Sequence, residues 1–134
     1  MANSVTTQVL MDNQRNYVLK VNMLLDTSDV SITDLITPSA LSALGDINGA
    51  CSRVSLYRVV YDVEDTLTVN LYWNANTDVP IVRMVGRGEF KMRKVGGMPN
   101  NASTGVDGKV QYDTQGWSAS AVLAATFILE CVKS

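Results

Sequence analysis

Five cationic side chains, Arg83, Arg87, Lys91, Arg93 and Lys94, fall within twelve residues, with Glu89 the only acid among them. Guanidinium and ammonium groups at this density suit contact with carboxylates on an acidic protein surface or with phosphates. Phe90 is the only aromatic residue interleaved with them, and the chain carries 11 basic against 13 acidic residues, a formal net charge of −2. That balance offers no global field for gripping nucleic acid. The cluster therefore reads as a contact for an acidic protein partner, set against the plainer reading of a charged strand edge that resists aggregation. Met98 and Asn100, in the long Gly-rich loop just downstream, join it as candidate contacts.

Catalytic chemistry has little to work with. The chain has no histidine, which removes the commonest general base and the commonest metal ligand. A serine or cysteine nucleophile then lacks its usual activating partner, and no Ser-x-x-Lys motif replaces it. Asp62, Glu64 and Asp65 lack the Asp-x-Asp-x-Asp spacing and glycine of a calcium loop, so they read as a solvated turn. Asp26, Asp29 and Asp34 read the same way. Gly86-Arg87-Gly88 and Gly96-Gly97 carry no phosphate-binding pattern and read as turns or bulges. The expectation is a non-enzymatic protein with no cofactor and no metal. Among Tyr72, Trp73 and Trp117, which could stack on a sugar ring, Trp73 lies on an apolar strand face and reads as core. Trp117 follows Gln115-Gly116 in a turn and is the candidate for an exposed contact.

The elements that must position these residues are strands. From Ser52 onward apolar residues fall mostly on alternate positions, the mark of strands with one face buried. Residues 5–25 read as a hairpin turning through Asp12–Asn16, where Asx side chains bond their own backbone. Val54 to Val63 and Thr66 to Trp73 read as a second hairpin about Glu64-Asp65. In its first strand Val54, Leu56, Arg58 and Val60 share one face. Ile81–Val85 and Glu89–Arg93 read as short strands flanking Gly86–Gly88, and as a pair they place Arg83 and Arg87 on one face. Residues 95–108 form a loop too polar and Gly-rich to pack a core. Val110–Thr114 is a further strand, and Ala119–Val132, apolar on both faces, reads as central in a sheet. One helix signal stands apart: Thr37 as cap, Pro38 at the first position and Gly45 as the stop predict a short helix near 38–44. The fold class is all-β, an antiparallel sandwich or barrel with the jelly roll among the options.

At 134 residues the chain reads as a single domain spanning 1–134 that folds without disulfide or metal. Charged residues make up 18 % and apolar ones 46 %, which points to outward faces covered by oligomerisation. Cys51 and Cys131 sit in no Cys-x-x-Cys spacing and read as small core residues, with a bridge between them left open. No signal peptide or membrane-spanning stretch is visible, so a soluble protein made in a cytoplasm is expected, with no membrane partner.

Taken together, several segments resemble small virion structural proteins of tailed bacteriophages. They are the Asp-x-x-Arg-Asn turn at Asp12–Asn16, Cys-x-Arg-Val at Cys51–Val54, and Trp-Asn-Ala-x-Thr-Asp-Val-Pro at Trp73–Pro80. Gly-Gly-Met-Pro-Asn at Gly96–Asn100 and the closing Leu-Glu-x-x-Lys-Ser complete the set. The resemblance spans nearly the whole chain and implies a β-sandwich component of the particle, such as a capsid decoration or cement protein, with no catalytic residues. Its expected partners are the major capsid protein or other virion proteins, and a homo-oligomer, a trimer or higher ring, is expected. A neck, tail or baseplate component is the alternative, as is a receptor- or carbohydrate-binding module using Trp117.

Overall fold

A computed structural model describes residues 3–13, 15–38, 41, 53–92, 94, 96–100, 105, 108–118 and 122–133. They form nine strands: β1 Ser4–Asp12, β2 Asn16–Leu25, β3 Thr33–Ile36, β4 Val54–Val63, β5 Thr68–Trp73, β6 Val79–Met84, β7 Gly86–Lys91, β8 Val110–Gln115 and β9 Leu123–Lys133. A five-stranded sheet in the order β1-β2-β9-β4-β7 packs on a four-stranded sheet in the order β3-β8-β5-β6. All pairings are antiparallel. Strand β2 pairs with β9, β3 with β8, β4 with β7 and β5 with β6. That nesting is a long hairpin about the β5–β6 connection, rolled up so that successive pairs alternate between sheets. It is the topology of a jelly roll, with β1 added at one edge.

The core lies between the sheets. From the larger sheet Leu19, Val21, Leu25, Val54, Leu56, Val59, Phe127 and Leu129 are buried, and from the smaller one Val69, Leu71, Trp73, Met84 and Val110. Each such side chain stabilises the fold by about 1.5–3 kcal/mol relative to exposure. The β1–β2 hairpin forms as its residues require. Asn13 Oδ1 accepts the Arg15 and Asn16 amides at 3.0 and 2.7 Å, and alternate β2 residues from Tyr17 to Leu25 point inward.

The second expected hairpin does not form. The Glu64 carbonyl does accept the Leu67 amide at 2.9 Å in a turn, but β4 belongs to one sheet and β5 to the other. The turn therefore carries the chain across the sandwich. A bulge between Leu56 and Arg58 also breaks the expected alternation in β4. Beyond it Val59 and Val63 point inward while Arg58, Val60 and Asp62 face out, so Arg58 and Val60 do not share the face of Val54 and Leu56. Gly86 to Gly88 are not a turn but the start of strand β7, paired with Val63 to Tyr61. The expected helix at 38–44 lies largely outside the described residues; of it, the Leu41 amide donates to the Pro38 carbonyl at 3.1 Å. Strand β9 sits centrally between β2 and β4, as its two apolar faces predict. Cys131 is buried, as a small core residue should be, and Cys51 lies outside the described residues. Among the described residues no helix is long and apolar enough to cross a membrane.

Candidate functional site

The expected basic cluster is divided by the fold. Arg83 is on β6, exposed on the outer face of the smaller sheet opposite Asn70. Arg87 and Lys91 are on β7, an edge of the larger sheet. Arg83 and Arg87 therefore share no face: Val85 separates two strands that enter different sheets. Arg93 lies outside the described residues. Arg87 and Lys91 face outward with Glu89 between them, as alternate residues of one strand must.

Lys91 and Lys94 join a residue that sequence reading did not single out. The bulge in β4 turns Arg58 outward, where its guanidinium bonds Glu89 on β7 and, at 2.6 Å, Glu130 on β9. Lys91 lies 3.6 Å from the other Glu89 oxygen. Tyr57, Arg58, Glu89, Lys91 and Lys94 line an open cleft of about 490 Å³. The two carboxylates hold the Arg58 guanidinium more firmly protonated than usual, with the Glu130 bond the larger cause. In return the Arg58 bond lowers the Glu89 pKa. Nothing in the one-dimensional pattern signals this network, because a bulge residue has no compositional mark here.

Along the same edge the charge reverses. Arg87 pairs with Asp62 at 3.4 Å, and both line a second cleft of about 550 Å³ with Glu64 and Asp65. The two clefts are centred about four residues apart along β7, or about 13 Å. Among the described residues no group of three or more acidic, cysteine or histidine side chains is placed to hold a metal ion.

The remaining candidates are structural. Met98 forms a two-way backbone bridge with Leu56, with N···O distances of 2.7 and 3.0 Å, and packs against the core. Asn100 is half-buried beside it. This part of the 95–108 loop is thus pinned to β4, contrary to a loop that packs nothing. Trp117 is not an exposed platform. Its backbone amide donates to Asp29 Oδ1 at 3.0 Å and its half-buried ring packs against the core. Asp29 also accepts from the Thr114 hydroxyl at 3.1 Å, and Asp34 accepts from Gln111 at 2.7 Å. Asp29 thus holds its loop to β8, and Asp34 links β3 to β8, rather than simply facing water. Trp73 is buried as expected.

No protein-family model matches the chain, and no curated protein matches it significantly.

Proposed function

We propose that the chain is a non-enzymatic structural protein of a bacteriophage virion, a decoration or cement protein that binds the head shell along the β4–β7 edge. The observation that carries the contact assignment is the cleft of Tyr57, Arg58, Glu89, Lys91 and Lys94. It sets the exposed Lys91 ammonium and the Tyr57 ring on paired strands, which hold position better than loops do, with Lys94 just beyond the end of β7. An acidic segment of a shell protein fits such a surface. Repetition over a shell turns modest single contacts into high avidity. Jelly rolls host capsid and lectin domains alike, so the fold alone does not choose the role. The motif resemblance described above favours the particle.

The test has two arms. Mass spectrometry of purified particles counts this chain against the major shell protein: hundreds of copies support shell decoration, about a dozen point to the neck or tail, and none overturns the reading. Binding of Lys91→Glu/Lys94→Glu to undecorated shells then tests the surface. A large loss with an unchanged melting temperature supports it, and full binding refutes it.

A further inference from the structure

Among the described residues the two sheets have four edge strands, β1 and β7 in the larger sheet and β3 and β6 in the smaller. An unpaired edge is a template for another strand, and proteins blunt it with charge, proline, bulges or shortness. Three of these edges are blunted. Strand β7 carries Arg87, Glu89 and Lys91, with glycines at 86 and 88. Strand β6 contains Pro80. Strand β3 has four residues, including Asp34, and a register shift.

Strand β1 has none of these devices over its first six residues, Ser4-Val5-Thr6-Thr7-Gln8-Val9; its bulge begins only after Val9. This run has no charge, proline or glycine, and it is rich in β-branched residues. Val5 and Val9 lie on the side that carries the core, across from Met23 and Leu19, yet they are 37 % and 53 % exposed. The strand is held at both ends. Asn3 Oδ1 accepts the Asp26 and Thr27 amides at 3.0 Å each, and Asp12 is bonded by the buried Lys133 ammonium. An uncharged edge held at both ends loses little freedom when a strand is added to it.

We infer that β1 pairs antiparallel with β1 of a second copy about a two-fold axis at Thr7, making one continuous ten-stranded sheet. The occupant follows from the edges. Two copies that join edge to edge through any other strand meet charge, proline or a bulge, so β1 with β1 is the unobstructed combination. About Thr7 the register sets Val5 against Val9 of the second copy, Thr6 against Gln8 and Thr7 against itself. Val–Val and Thr–Thr are favourable cross-strand pairs, no like charges face each other, and the contact closes on itself as a two-fold contact must. The inference concerns the isolated chain and stands apart from the particle assignment.

Sedimentation equilibrium of the full chain over a wide concentration range tests it, with circular dichroism as the folding control. The expected species has twice the 14.6 kDa chain mass. Val5→Glu/Val9→Glu and Val5→Lys/Val9→Lys, both at exposed positions, each weaken self-association about tenfold or more by placing two like-charged pairs across the axis. Mixing the two variants restores a heterodimer through Glu–Lys pairs. A chain that stays monomeric, a trimer, association indifferent to both variants, or no recovery on mixing overturns the proposal.

Discussion

The Lys133 ammonium has no exposed side-chain surface and is bound by the Asp12 carboxylate and, at 2.6 Å, by the Asn13 carbonyl. The contact ties the end of β9 to the turn between β1 and β2, and the Lys133 amide reinforces it by donating to the Arg15 carbonyl at 2.7 Å. Removing the carboxylate strands a buried charge. Asp12→Ala is expected to cost about 3–5 kcal/mol in urea unfolding. Lys133→Met added to it recovers part of that loss, since the stranded charge is gone. Equal instability of single and double variants would show that the pair is not coupled.

Gly97 adopts φ +86°, and a Cβ there would lie 2.6 Å from the Tyr57 ring. Its amide donates to the Met92 carbonyl at 2.8 Å, which fixes the approach. Gly97→Ala is expected to destabilise the fold by about 1–3 kcal/mol through conformation and overpacking together. Tyr57→Ala in that background removes the clash but not the left-handed backbone, so it rescues only in part. Thermal melts of the three variants read the difference.

Stability is expected to fall at both ends of the pH scale. Asp34, mainly through its Gln111 bond, and Glu89, mainly through Arg58, have lowered pKa values. Their contribution is present above the ordinary carboxylate range of about 4 and disappears as pH drops through their folded values. At the other end burial raises Tyr112, and burial with the nearby Asp12 and Cys131 raises Tyr17. Their neutral forms favour the fold below about pH 10, and that contribution is lost as pH rises further. Tyr17→Phe should move the alkaline midpoint upward; an unchanged midpoint would remove Tyr17 from the cause.

Cys131 is buried between β2 and β4, with Cα partners Tyr17 and Leu56. Its alkylation by iodoacetamide is expected only at the rate of unfolding, and mild denaturant should accelerate it steeply. Labelling at the rate of an exposed cysteine in native buffer contradicts this placement.

The strands were legible where the pairing is local or the burial complete. Asn13 announces the first hairpin through its own side chain, and the two apolar faces of β9 announce a central position. What failed shares one cause. The alternation in β4 and β5 reads alike whether the strands pair with each other or face each other across a core, so the Glu64 turn gave no clue that it crosses between sheets. The bulge before Arg58 shifted every later side chain in β4, hiding the Arg58–Glu89–Glu130 network. Trp117 failed for a similar reason: an aromatic after Gly116 looks equally free until Asp29, 88 residues upstream, is seen to bind its amide.

The placement of β9 bears on how the protein is made. Residues 123–133 separate β2 from β4, so during translation neither half of the larger sheet can join the other until residue 133 has left the ribosome. The nascent chain waits with apolar strands unmatched. A chain cut short before β9 leaves β2 and β4 without their shared neighbour and apolar surface uncovered, the kind of species that aggregates.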